Sequence, residues 1–288
     1  MAFAYKFESA DILESTLTFL DLGIGDAVLL GHSYLWDAEM WRPQIEVLAR
    51  HYRVIVPNLW GHGGSGPLPP ATRDLGDLAR HHLALMDKLG IGRFAVAGLS
   101  IGGMWGAELA MLAPHRVAAI ALLDTFLGPE PMLSRQKYFA MMGTIASARR
   151  IPEAILDAIV PLFFAPSVAT MTPALPAAFR MKLQNWDTDR LLDSVLPIGR
   201  LLFGRRDARD DLRRLVMPKL LLTGGEDIPR PAHEGRQMAT ILDCPFVEIP
   251  GAGHISTLEA SESVTCHLVR FFSESLGHSE TARRHSAV

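Results

Sequence analysis

Short runs of apolar residues alternate with segments of helical periodicity through the first half of the chain. The four runs lie at residues 27–30, 52–56, 94–98 and 118–123. Runs that stay apolar at every position are typical of strands in a parallel sheet that is covered on both faces. The pattern therefore predicts four parallel strands. A weaker alternation at residues 16–20 predicts an antiparallel strand at the edge of the same sheet.

The segments between these runs carry apolar residues at the spacing of an amphipathic helix. Such residues recur every three or four positions in residues 41–50 and 75–89, and residues 103–112 form a further helix-like stretch. Gly90 follows the second segment and is a typical helix stop. Strands that alternate with helices are the pattern of an α/β sheet, since parallel strands need crossover connections.

The pattern changes after Asp124. Residues 128–205 are rich in proline and in short helical pieces with Met, Phe and Leu, and they contain no apolar strand run. We interpret them as a helical lid inserted into one α/β domain. Residues 1–127 and 206–276 would form that domain, and the polar residues 277–288 are predicted to be a disordered tail.

Strand and helix alternate again after the lid. The later strands are predicted at residues 218–223 and 246–249, and the later helices at residues 232–242 and 258–272. The predicted fold class is therefore α/β, with a mostly parallel, doubly wound sheet and an inserted helical lid.

Composition and charge exclude several classes of function. The chain of 288 residues is 49% hydrophobic and 20% charged, and its net charge of −3 provides no attraction for nucleic acid or an anionic membrane. No signal peptide or transmembrane helix is predicted from the apolar runs. The two cysteines, Cys244 and Cys266, form no disulfide framework or metal-binding pattern, which favours a reducing, cytoplasmic location.

The third apolar run ends in the segment Gly98-Leu99-Ser100-Ile101-Gly102, and a helix-like stretch follows it. A strand, a tight turn between glycines and a helix form the context in which a serine side chain is pushed out at the end of a sheet. The partly positive N-terminus of the helix points at that serine. Ser100 is therefore the candidate nucleophile, and the alternative is a turn serine that only caps the helix.

A serine hydroxyl needs a base to take its proton, and the base needs a carboxylate to orient it. Asp227 and His254 each follow one of the two later strands. Three strand ends that carry Ser, acid and His in this order favour a Ser-Asp-His triad over an accidental match to one motif. Glu226 and Asp124 remain alternative acids, and Asp124 directly follows the fourth apolar run.

Five short motifs carry a family resemblance. They are Gly-His-Ser at 31–33, Gly-His-Gly-Gly-Ser at 61–65, Gly-Leu-Ser-Ile-Gly-Gly at 98–103, Gly-Gly-Glu-Asp at 224–227 and Gly-Ala-Gly-His-Ile-Ser at 251–256. On these motifs the chain resembles the α/β-hydrolase superfamily over residues 20–275. Within it, the chain is most similar to small carboxylesterases and oxoadipate enol-lactonases.

The resemblance implies an oxyanion hole of two backbone N–H groups. One belongs to the residue after the nucleophile, here Ile101, and the other is carried over onto Tyr34 in the loop after the first parallel strand. Such donors contribute about 3–4 kcal/mol each in a comparable hydrolase. The chain departs from the family at Ser33, where the family often has glycine, and at Asn58, where it often has aspartate.

Side chains close to Ser100 and on the lid are expected to line a substrate pocket, and the apolar lid predicts that the substrate carries a largely apolar, uncharged acyl or alkyl group. These candidates are His32, Ser33, Trp36, Phe126, Met142, Phe163 and Phe164. Ordinary packing is the alternative for the lid side chains, and hydrogen bonding within its own loop is the alternative for His32.

The resemblance implies a serine hydrolase that cleaves a small, largely apolar carboxylic ester or lactone through an acyl-enzyme. It requires no cofactor and no metal, and its partner is the small-molecule substrate, with no nucleic acid or membrane. A cofactor-free haloperoxidase or perhydrolase and a C–C bond hydrolase use the same three residues. A ligand-binding, receptor-like protein with little turnover is an alternative of another class. The oligomeric state stays open.

Overall fold

Eight strands form one sheet in the computed structural model, which describes residues 5–276. The strands are β1 (Glu8–Ile12), β2 (Ser15–Leu22), β3 (Ala27–Gly31), β4 (Arg53–Pro57), β5 (Phe94–Leu99), β6 (Val117–Leu123), β7 (Lys219–Gly224) and β8 (Phe246–Ile249). Their order across the sheet is β1-β2-β4-β3-β5-β6-β7-β8. The six strands from β4 to β8 in this order run parallel to one another. β2 pairs antiparallel with β4, and β1 pairs antiparallel with β2. The predicted fold class is confirmed.

One prediction about the sheet edge is wrong. The strand predicted at residues 16–20 exists as β2, but it is not at the edge, because β1 pairs with its outer side. β1 has no apolar run, and only Ala10 and Ile12 of its five residues are buried. A strand that buries so few side chains leaves no clear hydrophobic pattern in the sequence.

Helices cover both faces of the sheet. Outside the lid they are α1 (Arg42–Leu48), α2 (Leu75–Lys88), α3 (Ile101–Leu112), α10 (Ala232–Leu242), α11 (Ser256–Glu259) and α12 (Ser261–Leu276), and the lid carries α4 to α9. The sequence predicted one helix at residues 258–272, whereas the structure has two helices with a break at Ala260. The central strands β3, β5 and β6 are buried at every position, as their apolar runs predict.

The segment predicted to be a lid, residues 128–205, is helical and contains no strand, and it is called the lid below. Its helices are α4 (Met132–Ala148), α5 (Glu153–Ile159), α6 (Pro166–Met171), α7 (Ala174–Gln184), α8 (Thr188–Arg190) and α9 (Leu196–Phe203), with a π-helical turn at Leu191–Val195. Tyr34 Oη donates a hydrogen bond to Val195 O at 2.8 Å, and Leu68 N donates to Ser194 Oγ at 2.9 Å. The lid is therefore held against loops at the carboxyl ends of β3 and β4.

In residues 5–276, no helix has the length and apolar character needed to cross a bilayer. The predicted tail, residues 277–288, lies outside the described residues.

Candidate active site

Ser100 occupies a strained turn between β5 and α3. Its backbone has φ 58° and ψ −121°, and a positive φ at a residue other than glycine costs about 1–3 kcal/mol. The glycines beside it are required by close packing. A Cβ on Gly98 would lie 2.2 Å from Gly102 O, and a Cβ on Gly102 would lie 2.2 Å from Gly31 O. The turn thus forms only with small residues on both sides, and it presents the Ser100 side chain above the sheet.

The structure brings Ser100, His254 and Asp227 into one hydrogen-bonded chain. Ser100 Oγ lies 3.0 Å from His254 Nε2, and His254 Nδ1 lies 2.9 Å from Asp227 Oδ2. Because the carboxylate accepts a hydrogen bond from Nδ1–H, Nε2 of the neutral imidazole has no proton and can accept a hydrogen bond from the Ser100 hydroxyl. All three residues are buried. The arrangement can pass a proton from the hydroxyl to the imidazole.

The loops after β7 and β8 place the acid and the base. The carboxyl ends of neighbouring parallel strands meet at one edge of the sheet, so residues distant in sequence converge there. Arg230 N donates to Asp227 Oδ1 at 2.8 Å and fixes the orientation of that carboxylate. Glu259 Oε1 accepts from Ile255 N at 3.1 Å and Oε2 accepts from Ala165 N at 2.8 Å, so one side chain joins the His254 loop to the lid.

The alternative acid, Asp124, has other partners. Its Oδ1 accepts from Gly224 N at 2.7 Å, and Ser256 Oγ donates to its Oδ2 at 2.5 Å. Complete burial, together with the nearby negative charge of Asp227, raises the pKa of Asp124 well above its usual value. The structure therefore places Asp227, and not Asp124, against His254.

The two residues carried over as oxyanion donors, Ile101 and Tyr34, follow the nucleophile and the strand β3. Ile101 is the first residue of α3, and its N–H has no partner inside the helix. Among the described residues, neither Ile101 N nor Tyr34 N donates a hydrogen bond to a protein acceptor. Ser100 and Tyr34 both line the cavity described below. Both N–H groups therefore lack a protein acceptor, although Ile101 itself is not among the residues that line the cavity.

Two buried histidines hold the loop that carries Tyr34. His32 accepts from Leu59 N at 2.8 Å, and His62 accepts from Leu35 N at 3.3 Å. Burial lowers the pKa of His32 to about 4 and that of His62 to about 3. Both rings are therefore neutral near pH 7, which they must be in order to accept these hydrogen bonds.

A cavity of about 100 Å³ opens between Ser100 and the lid. Of the predicted pocket side chains, it brings together Ser33, Met142 and Phe163 with Ser100 and His254. Its wall is mostly apolar, with Leu, Ile and Met side chains from several lid helices.

Four predicted pocket residues do not line this cavity. They are His32, Trp36, Phe126 and Phe164. Trp36 stacks on Phe179 with ring centroids 4.5 Å apart, and Phe164 packs edge-on against both rings. These aromatic side chains fasten the lid to the core. Phe126 is buried, with the Arg209 guanidinium 5.9 Å from its ring, and His32 faces its own loop.

The cavity also has charged wall residues that sequence reasoning missed. They are Glu130, Arg205 and Arg230. Glu130 and Arg205 stand at the two ends of the lid, and Arg230 follows Asp227 by three positions. Only their burial distinguishes them from ordinary surface charges, and no pattern in the sequence shows that burial.

The residues that could bind a metal ion are dispersed. No group of three or more His, Cys, Asp or Glu side chains with a suitable arrangement occurs in the part of the chain that the structure describes.

The chain belongs to the α/β-hydrolase fold family, whose sequence model matches residues 26–261. A relative from Pseudomonas putida, the dihydrolipoyllysine-residue acetyltransferase component of an acetoin cleaving system, is 30% identical over 268 residues. That match covers 92% of this chain and 68% of the relative.

Two solved structures are similar along nearly the whole chain. A thermophilic esterase from Thermogutta terrifontis superposes with a TM-score of 0.84 at 28% identity, covering 94% of this chain and all of the esterase. An enol-lactonase from Burkholderia xenovorans LB400 superposes with a TM-score of 0.81 at 25% identity, covering 92% of this chain and all of the lactonase. The resemblance inferred from the sequence motifs is thus confirmed at the level of the family.

Proposed function

We propose that this protein hydrolyses a carboxylic ester or lactone with a small, largely apolar acyl part, through an acyl-enzyme on Ser100. The observation that carries the proposal is the hydrogen-bonded chain from Ser100 through His254 to Asp227 at the floor of a mostly apolar cavity. The esterase and enol-lactonase similarities support the same class of reaction.

In the proposed mechanism, Ser100 Oγ attacks the carbonyl carbon while His254 Nε2 takes the hydroxyl proton. Asp227 holds the imidazole in the required tautomer and stabilises its protonated form. The N–H groups of Tyr34 and Ile101 bind the oxyanion of the tetrahedral intermediate, where each donor contributes about 3–4 kcal/mol. His254 then protonates the leaving alcohol, and a water molecule activated by His254 releases the acid.

The proposal is tested with the purified protein and a panel of short-chain aryl esters and lactones. We expect Ser100→Ala to lower kcat by about 10⁴-fold or more, because the nucleophile is lost. Ser147→Ala is the matched control, because Ser147 is exposed on α4. This variant should hydrolyse the panel at the wild-type rate. Circular dichroism checks that both variants are folded.

Retained ester turnover in folded Ser100→Ala would contradict the proposed nucleophile. A second assay on the same protein tests one competing activity, because peracid formation from acetate and hydrogen peroxide would identify a perhydrolase. Tight retention of a ligand with negligible turnover would favour the receptor-like alternative.

A further inference from the structure

The carboxylate of Glu259 accepts hydrogen bonds from backbone amides on both sides of His254. Glu259 is the last residue of the short helix α11, which follows the His254 loop. Its Oε1 accepts from Ile255 N at 3.1 Å, and the N–H of Gly253 also donates to the carboxylate. One side chain therefore holds the residue before the base and the residue after it.

These two amides have no other support from secondary structure. In the part of the chain that the structure describes, neither Gly253 N nor Ile255 N donates to a backbone acceptor. The side chain of His254 is held by Asp227 and Ser100, but both of those hydrogen bonds belong to the path of the proton itself. The position of the His254 backbone therefore depends on the Glu259 carboxylate.

The second carboxylate oxygen reaches the lid. Glu259 Oε2 accepts from Ala165 N at 2.8 Å. The backbones of Gly253 and Ala165 are in direct contact, because a Cβ on Gly253 would lie 2.4 Å from Ala165 N. Phe163, two positions before Ala165, packs against the His254 imidazole with ring centroids 5.6 Å apart. Glu259 thus also holds the lid segment whose aromatic ring packs against the base.

The charge of Glu259 acts in the same direction. Burial raises the pKa of Glu259, while hydrogen bonds from the three amides and the nearby His254 oppose that rise. These hydrogen bonds favour the ionised carboxylate. Its negative charge attracts the imidazolium that forms when His254 takes the Ser100 proton.

We propose that Glu259 is a positioning residue for the base: its carboxylate fixes the His254 backbone so that Nε2 stays within reach of the Ser100 proton. The proposal rests on the proposed function, because it assigns Glu259 a part in the same reaction. Glu259 does not line the cavity, so it acts through His254 and not on the substrate.

A purely structural role must be distinguished from positioning, since the same carboxylate also fastens the lid. A loosened lid would slow the reaction whether or not His254 is present. A positioning residue instead loses its effect once the residue that it positions has been removed. The informative quantity is therefore the effect of one Glu259 substitution with and without the imidazole.

The experiment is a double-mutant cycle of Glu259→Gln and His254→Ala. Its two readouts are kcat/KM for one aryl ester and the rate at which a fluorophosphonate labels Ser100. Glutamine keeps the shape of the side chain, but its NH2 group cannot accept from a backbone N–H. In the otherwise wild-type protein, Glu259→Gln should lower both rates by about tenfold or more, because small displacements of a catalytic group are costly.

His254→Ala keeps a residual rate, because binding and the oxyanion donors still act. In that background, Glu259→Gln should change both rates by less than about twofold. Glu262→Gln is the matched control, since Glu262 is exposed in the first turn of α12, and it should keep both wild-type rates. If circular dichroism shows that Glu259→Gln is unfolded, Glu259→Asp replaces it in the cycle, because it keeps the charge and shortens the reach.

An equal loss in both backgrounds would assign Glu259 a structural role only, and no loss in the otherwise wild-type protein would show that His254 does not depend on it. Either result overturns the proposal. If the wild type hydrolyses no ester or lactone, the proposed function fails, and the labelling rates alone decide the role of Glu259. Absence of labelling in the wild type overturns both.

Discussion

Two buried carboxylates near His254, Asp124 and Asp227, have different roles that their hydrogen bonds define. Asp227 lies against His254 Nδ1, while Asp124 joins Gly224 N to the Ser256 hydroxyl. Burial raises the pKa of Asp124 well above its usual value, and an asparagine amide at this position would supply one acceptor and one donor. The sequence left both residues open as the acid, because each follows a strand end.

Asparagine substitutions at the two positions should therefore have very different effects. Asp227→Asn should lower kcat by about 10⁴-fold, because an amide favours the wrong imidazole tautomer. Asp124→Asn should lower kcat by less than about tenfold, since the amide oxygen can accept from Gly224 N and the amide NH2 can donate to the Ser256 hydroxyl oxygen in reversed direction. Steady-state kinetics on one aryl ester gives both values, and an equal loss in the two variants would contradict the assigned roles.

The turn between β5 and α3 is the element on which the site depends. The sequence predicted this turn well, because a serine between glycines at the end of an apolar run is compatible with few local structures other than a tight turn from strand to helix. It placed the start of the following helix at residue 103, whereas α3 begins at Ile101. Gly102 and Gly103 are poor helix formers, but the close approach of Gly102 to Gly31 requires a residue without a side chain at that position.

Gly98→Ala should destabilise the protein by about 2 kcal/mol or more, because the added Cβ would lie 2.2 Å from a backbone oxygen that cannot move independently. Gly143→Ala is the matched control in α4, where nothing lies within 4 Å of the added Cβ. That substitution should stabilise the protein by about 1 kcal/mol. Urea denaturation measures both free energies of unfolding. Equal effects in the two variants would contradict the packing described for the turn.

Over the whole molecule, the segments with the clearest pattern of apolar residues were the ones that could be predicted from the sequence. The parallel strands were predictable because each is buried on both faces and apolar throughout. β1 was not, since only two of its side chains are buried. The convergence of Ser100, Asp227 and His254 was predictable because carboxyl ends of parallel strands share one edge of the sheet.

The cavity wall was harder to predict because it depends on how the lid packs. Trp36 and Phe164 pack with Phe179 away from the cavity, whereas Arg205 and Glu130 approach each other from opposite ends of the lid. Neither arrangement follows from local sequence, since both join residues that are far apart in the chain.

The account depends on the folded chain bringing a reactive hydroxyl, a base and a carboxylate together from three distant segments. The most direct test is to treat the native protein with a fluorophosphonate and locate the adduct by mass spectrometry, with urea-unfolded protein as the control. We predict one adduct, on Ser100, in the native protein and none in the unfolded chain. An adduct on another residue, or no adduct on native protein that hydrolyses esters, would contradict the account.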